Sequence, residues 1–197
     1  MKYMFSGCKS LQTLDLSMFD TTDVNYMQYM FEDCEKLQTL NLKNLNTGKV
    51  VNMESMFGGC QTLKSLDVSS FDTSQVENMN GMFYNCKALQ TLDVSRFQTG
   101  NVTDMGSMFS NCASLTDLNI SNFVIGDTTD TGSMIWGCDK MMTFTVPKLI
   151  IPSIYLPYDP ANKYMWVDAN GKECDAVAKR LTTPATYKRV IRVEKEK

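Results

Sequence analysis

The sequence predicts an α/β repeat protein: a solenoid of 26-residue coils, with short parallel strands on its concave side and short helices on its convex side, then a small β-rich C-terminal unit. Two observations predict this fold. Six of the seven cysteines recur at a constant interval of 26 residues, which indicates a repeat. Within each interval a segment of hydrophobic period two precedes one of period three to four, which indicates a strand and then a helix. The recurring cysteines are Cys8, Cys34, Cys60, Cys86, Cys112 and Cys138.

The strand of each unit is predicted from a Leu-x-Leu pair such as Leu14 and Leu16. Successive strand residues point to opposite faces, so this pair faces the core and its neighbours face outward. Five sets of apolar residues, called columns here, recur at intervals of 26 residues. They begin at Leu11 (then Leu37, Leu63, Leu89, Leu115), Leu14 (Leu40, Leu66, Leu92, Leu118), Leu16 (Leu42, Val68, Val94, Ile120), Phe19 (Leu45, Phe71, Phe97, Phe123) and Met30 (Met56, Met82, Met108, Met134).

The helix of each unit is predicted from apolar residues at steps of three or four, as in Val24, Met27, Met30 and Cys34. The preceding polar residues 20–23 are typical of a helix N-cap. Packed helices need ~8–10 Å of separation, whereas parallel strands need ~4.8 Å. The stack is therefore expected to curve into a horseshoe arc.

The pattern Leu-x-x-Leu-x-Leu-x-x-Phe resembles the leucine-rich repeat. Residues 66–79, followed by Met82-Phe83-Tyr84-Asn85-Cys86, are similar to the BspA-like leucine-rich repeat surface proteins of bacteria. The resemblance covers about residues 1–149. It implies a cell-surface or secreted protein, and some members of that family are adhesins that bind host matrix proteins or other microbes.

The sequence is predicted to divide into three regions: a leucine-rich repeat solenoid at 1–149, a Pro-rich connector at 150–162 and a small β C-terminal cap at 163–197. The repeat decays near residue 124, and several prolines then disfavour helix. An Asn170-Gly171 turn signal follows a strand-like run at Trp166, and 187–193 reads as another strand. Similar tails follow the repeats of many BspA-like proteins, which supports the cap.

A candidate binding surface follows the outward strand positions of the predicted concave face, which are small, polar and mildly acidic. Three interpretations stay open: side chains that hydrogen-bond to one another and keep the face soluble, a surface for a basic partner, and a weak Ca²⁺ contact. The candidate residues are Thr13, Asp15, Thr39, Asn41, Lys43, Ser65, Asp67, Ser69, Thr91, Asp93, Ser95, Asp117 and Asn119.

The cysteine column is interpreted as a set of small buried hydrophobic side chains, although stacked thiols would also be compatible with disulfides or a metal. No Cys-x-x-Cys pair and no histidine is present, so no metal site and no cofactor is predicted. The absence of histidine also removes the commonest general base, and the aspartates recur with the repeat. The chain is therefore predicted not to be an enzyme.

Charge divides along the chain, with 10 Lys and Arg against 17 Asp and Glu in 1–162, and 9 against 5 in 163–197. The basic end is interpreted as a solvated surface, so no nucleic-acid partner is expected. No run is long enough to span a membrane. Met1–Phe5 matches residues 27–31, so the chain looks like a fragment, and its uncapped N-terminal edge is a candidate for self-association.

The function predicted from these features is a non-enzymatic, adhesin-like cell-surface module that binds a host or microbial protein or glycan through the solenoid surface. The alternative is a structural spacer in a larger surface protein, with no ligand of its own. Aromatic residues off the concave face, among them Tyr84, Tyr164 and Trp166, are interpreted as packing between the repeats and the tail.

Overall fold

A computed structural model describes residues 1–147, 154, 156–157, 164–174 and 185–191. The described residues contain seven strands and no helix. The strands are β1 (Thr13–Asp15), β2 (Thr39–Asn41), β3 (Asp117–Asn119), β4 (Thr143–Thr145), β5 (Tyr164–Val167), β6 (Glu173–Cys174) and β7 (Thr186–Ile191).

The strands form two sheets. β1 and β2 pair in parallel, with Leu14 opposite Leu40, and β3 and β4 pair in parallel with Leu118 opposite Phe144. The second sheet has the order β3-β4-β7-β5-β6. Between the two sheets, Ser65 and Thr91 make an isolated parallel bridge. Each of these partners is 26 residues from the other, so consecutive units lie side by side in register.

The helix predicted in each unit is wrong. The segments concerned, 2–8, 28–34, 54–60, 80–86, 106–112 and 132–138, are called the turn segments here, and all of them are built of successive turns. Backbone N–H groups bond three residues back, as Met30 does to Met27 and Cys34 to Phe31. An α-helix would instead bond four residues back.

Two columns of left-handed residues stop each turn segment from becoming a helix. A positive φ of this kind is disfavoured within a right-handed helix. The first column contains Tyr3, Tyr29, Ser55, Gly81, Ser107 and Ser133, and the second contains Gly7, Asp33, Gly59, Asn85, Asn111 and Gly137.

The N–H groups that a helix would use internally bond instead to the next unit. Phe31 N donates to Met56 O at 2.9 Å, and Phe57 N donates to Met82 O at the same distance. Asp33 N donates to Gly58 O at 2.7 Å. Consecutive units are therefore joined by backbone bonds on the turn side as well as on the strand side.

The predicted α/β leucine-rich repeat solenoid is accordingly wrong. The described residues have no helical layer, and the short strands belong to two separate sheets rather than one continuous concave sheet. The horseshoe arc was expected from helices that need wider spacing than strands, and without helices that physical cause is gone.

The core runs between the strand side and the turn side, and the predicted apolar columns supply most of it. Phe5, Phe31, Phe57, Phe83 and Phe109 stack on one another, with successive ring centroids 5.4–5.7 Å apart. Stacked aromatic pairs add about 0.5–1.5 kcal/mol each beyond the burial of their area. This ladder stabilises the register of the units.

Buried threonines occupy the positions that were predicted to cap helices, and that capping role is wrong. Thr47 Oγ1 donates to Asp72 O and accepts from Asp72 N, both at 2.8 Å. Thr73 makes the same pair of bonds to Gln98, at 3.0 and 2.7 Å. Each hydroxyl thus joins its unit to the backbone of the next. The column consists of Thr21, Thr47, Thr73 and Thr99.

Strands are present at both C-terminal positions where the sequence predicts them. β5 and β6 form a hairpin, and Gly171 has a φ of 75° in its turn, a conformation that glycine adopts without strain. β7 pairs antiparallel with both β5 and β4. The predicted separate β cap is thus part of the β3–β4 sheet. The predicted connector lies outside the described residues, apart from 154 and 156–157.

Candidate functional site

The outward positions of the strand side form a surface that we call the polar strand face, defined by the thirteen candidate residues of the sequence analysis. The structure places all of them at the surface, with Asn41 half-buried and the others exposed. Parallel pairing brings Thr13 beside Thr39, Asp15 beside Asn41, and Ser65 beside Thr91. The remaining strand positions, Asp117 and Asn119, lie on β3.

An open depression of about 600 Å³ lies on this face. It is lined by residues 65–67, 90–93, 116–119, 143 and 145. It brings together six of the candidate residues: Ser65, Asp67, Thr91, Asp93, Asp117 and Asn119. The other seven, Thr13, Asp15, Thr39, Asn41, Lys43, Ser69 and Ser95, are not part of its lining.

One row of the face is built from Asp and Asn side chains that we call the Asx row: Asp15, Asn41, Asp67, Asp93 and Asn119. Each accepts a hydrogen bond through Oδ1 from the backbone N–H two residues later, at 2.8–3.1 Å. Such Asx turns stabilise the chain reversal that follows each strand. Every member of the row therefore has a structural role.

The three carboxylates of the Asx row are held in their charged form. Hydrogen bonds from the backbone and side chain of Ser17 lower the pKa of Asp15. Ser69 and Ser95 lower the pKa values of Asp67 and Asp93 in the same way, and Arg96 adds a smaller contribution to both. A carboxylate that accepts hydrogen bonds favours the ionised state. The row is thus anionic at neutral pH.

A third carboxylate of the depression, Asp117, is oriented by hydroxyl groups. Thr116 Oγ1 donates to Asp117 Oδ2 at 2.7 Å, and Thr143 Oγ1 donates to Asp117 Oδ1. The depression therefore contains three carboxylates, with Asp67 and Asp93 one unit apart.

Sequence reasoning missed the contribution of β7 to this face. Lys188 is paired opposite Thr143, and Thr186 opposite Thr145, with the two hydroxyl oxygens of the second pair 3.0 Å apart. Opposite residues of an antiparallel pair project from the same side of a sheet. An exposed lysine therefore lies beside the acidic depression, and only the pairing of β7 with β4 reveals it.

The cysteine column is buried as predicted from Cys34 onward, whereas Cys8 is exposed. The sequence did not indicate that each buried thiol donates to the carbonyl of a phenylalanine in the preceding unit, as Cys60 does to Phe31 O at 3.3 Å. Burial raises the pKa of Cys34 to about 11 and that of Cys138 to about 12. The six cysteines of the column are all described, and all are free thiols.

Among the described residues, no group of three or more His, Cys, Asp or Glu side chains is arranged to hold a metal ion. The same part of the chain has no helix that could cross a membrane. The depression on the polar strand face, which brings together six of the candidate residues, is the candidate site.

The fold and this surface define a protein of 26-residue units joined by backbone bonds on two sides. The chain belongs to the family described as "Mycoplasma protein of unknown function, DUF285", which matches residues 1–66 and 34–145. Searches of curated proteins and of solved structures found no match. The resemblance to BspA-like leucine-rich repeat proteins is wrong, since the family that matches is DUF285 and the described residues have no helix.

Proposed function

We propose that the chain is a non-enzymatic interaction module of adhesin-like function, which binds a protein or glycan partner through the polar strand face. The observation that carries the proposal is the depression of about 600 Å³ that contains Asp67, Asp93 and Asp117. Pockets of this size with a few convergent polar groups are typical of ligand sites.

The chemistry of the depression favours a partner that brings positive charge or hydroxyl donors. The Asx turns of Asp67 and Asp93 are made through Oδ1, and an ionised carboxylate has further lone pairs that can accept a bond from a partner. A lysine or arginine of a partner would pair with these exposed carboxylates. The hydroxyls of Ser65, Thr91 and Thr145 add donors and acceptors along the same line.

The same groups are poorly suited to catalysis at neutral pH. A general acid or base works best when its pKa lies near the working pH. The pKa values of Asp67 and Asp93 are instead shifted downward, away from neutrality. This supports a binding role over proton transfer.

A structural spacer without a ligand is the second candidate, and the Asx turns favour it. Each Asp and Asn of the Asx row already bonds to its own backbone, so the residues have a role that needs no partner. The expected placement at a cell surface rested on the BspA-like resemblance and stays untested, so the proposed activity is binding alone.

The proposal is tested by biolayer interferometry of the purified chain against fibronectin, laminin, collagen and mucin glycans. The informative variant is Asp67→Asn combined with Asp93→Asn, because Asn41 and Asn119 make the same turn in the native row. It removes two charges and keeps the turns. The matched control is Asp20→Asn, an Asx turn outside the depression.

We expect saturable binding by the native chain, a loss of roughly tenfold or more in the double variant, and no change in the control. Binding that survives the double substitution would place the interaction elsewhere on the chain. No binding by the native chain to any of the four probes would favour the spacer.

A further inference from the structure

Two large aromatic side chains stand exposed on the turn side, away from the polar strand face. Trp136 is 62% exposed and Tyr84 is 43% exposed, although most other aromatic residues of the repeats are buried. Large apolar side chains exposed together commonly mark an interaction surface. The packing role expected for Tyr84 from the sequence does not account for this exposure.

The two aromatics occupy the same position in units that are two apart, with Ser110 between them. Asn85 N donates to Ser110 O at 2.8 Å, and Asn111 N donates to Trp136 O at 2.6 Å, which establishes the register. Two steps of ~4.8 Å place the Tyr84 and Trp136 backbones roughly 10 Å apart. Ser110 is only 2% exposed, so neighbouring side chains cover the position between the two aromatic residues.

The three turn segments that contain these aromatics and Ser110 are polar and uncharged, and Lys87, Asp139 and Lys140 lie directly after them. Turn segments 80–86, 106–112 and 132–138 contain no Asp, Glu, Lys or Arg, whereas the three earlier segments contain Lys2, Glu32, Asp33 and Glu54. The amide-bearing Asn85 and Asn111 are half-exposed beside the aromatic column. A side-chain amide offers both donors and an acceptor, which suits the paired hydroxyls of a sugar ring.

We propose that this uncharged aromatic patch binds a neutral, extended polysaccharide, with sugar rings stacked on Tyr84 and Trp136 and hydroxyls bonded by Asn85 and Asn111. Sugar rings have apolar faces that pack on aromatic rings, and polar edges that amides recognise. The two-unit separation of the aromatic residues, roughly 10 Å, suits an extended chain in which every second sugar presents the same face, as in a β-1,4-linked polysaccharide. The absence of charge within the three segments favours a neutral chain over an anionic one.

The patch and the polar strand face share no residue, so the two sites are separable by mutation. The test is calorimetric titration of the full chain with cellohexaose, chitohexaose and mannohexaose, with tryptophan emission as a second readout. The chain has two tryptophans, and Trp166 is 2% exposed, so a change of emission on titration reports mainly on Trp136.

We expect saturable binding of at least one hexasaccharide. Trp136→Ala and Tyr84→Ala should each weaken it roughly tenfold, whereas Trp136→Phe should retain most of it. The control Tyr26→Ala removes another exposed aromatic that lies outside the three uncharged segments, and it should leave binding unchanged. The Asp67→Asn and Asp93→Asn double variant should also bind as the native chain does.

The proposal is overturned if none of the three hexasaccharides binds, or if both alanine variants bind as tightly as the native chain while melting at the native temperature. A native dimer in sedimentation that Trp136→Ala converts to a monomer would also overturn it, by showing that a second copy occupies the patch.

Discussion

At the scale of single residues, buried polar side chains hold consecutive units together. Thr73 is fully buried, yet its hydroxyl both donates to Gln98 O and accepts from Gln98 N. The column that it belongs to repeats this arrangement in four successive units. A buried polar group without a partner is costly, so each of these hydroxyls supports two backbone groups as well as itself.

Replacing Thr73 by valine keeps its shape and removes both bonds. The N–H and C=O of Gln98 then lose their partner, and we expect the free energy of unfolding to fall by about 1–3 kcal/mol, measured by urea denaturation. Thr22→Val, at the exposed neighbouring position of an earlier unit, is the control and should have little effect. Unchanged stability in Thr73→Val would show that these bonds contribute nothing net.

Because of the Asx turns, the stability of the folded chain depends on pH. The pKa values of Asp15, Asp20, Asp67, Asp72 and Asp93 are lower in the folded chain, chiefly because of hydrogen bonds from the residue two positions later. A lowered folded pKa contributes stability that is present above the unfolded value of about 3.9 and lost as the pH falls through the folded value.

We therefore expect the urea midpoint to be nearly constant from pH 7 to 5 and to fall between pH 4 and 2. In the Asp67→Asn and Asp93→Asn double variant the fall should be smaller, because two of the titrating groups are gone. A urea midpoint that rises as the pH falls would contradict the conclusion that these ionised aspartates stabilise the fold.

At the scale of elements, the turn segment is the unit's defining feature. Apolar residues leading into it recur at a step of three, as in Val24, Met27 and Met30. Its hydrogen bonds reach back three residues. Left-handed residues then direct alternate N–H groups to the next unit. The second left-handed column contains only Gly, Asp and Asn, the residues that adopt this conformation most readily.

Gly59→Ala tests the left-handed column. Gly59 has a φ of 77°, and a Cβ there would lie 2.3 Å from Asp33 Oδ1, so the substitution is both strained and crowded. We expect a loss of about 1–3 kcal/mol in unfolding free energy. Gly100→Ala, which meets nothing within 4 Å and has no such φ, is the control. Equal stability of the two variants would contradict this account of the turn.

At the scale of the whole molecule, the buried cysteines report whether the stack opens as one body. Cys60, Cys86 and Cys112 lie in the continuous core, and burial raises their pKa values well above the usual value for a thiol. A buried, protonated thiol is unreactive, whereas an exposed one is open to reagents. Cys8 is exposed at one end of the stack.

We expect Ellman's reagent at pH 8 to label Cys8 at once, and Cys60, Cys86 and Cys112 together at the rate of global unfolding. Mass spectrometry of digests taken during the reaction identifies the order. Cys8→Ala should remove the fast labelling of that position and leave the labelling rates of Cys60, Cys86 and Cys112 unchanged. Labelling of Cys112 long before Cys60 would show that the units open separately.

Much of this architecture could be predicted from the sequence alone. The 26-residue period, the buried Leu, Phe, Met and Cys columns and the outward row from Asp15 to Asn119 follow from local spacing, since each unit repeats the same pattern. The depression is lined by six of the thirteen candidate residues, and three of these, Asp67, Asp93 and Asn119, belong to that row.

The sequence by itself determined most of the apolar core and the strand positions that face outward, because side-chain alternation and repeat spacing are local properties. Only the tertiary structure decided between helix and turns. Apolar residues spaced three or four apart over one short segment are compatible with both a series of turns and an α-helix of 3.6 residues per turn. The tertiary structure also placed Lys188 beside the acidic depression and exposed Tyr84 and Trp136 around Ser110. Those placements depend on backbone bonds between residues 26 or more apart, which no local pattern encodes.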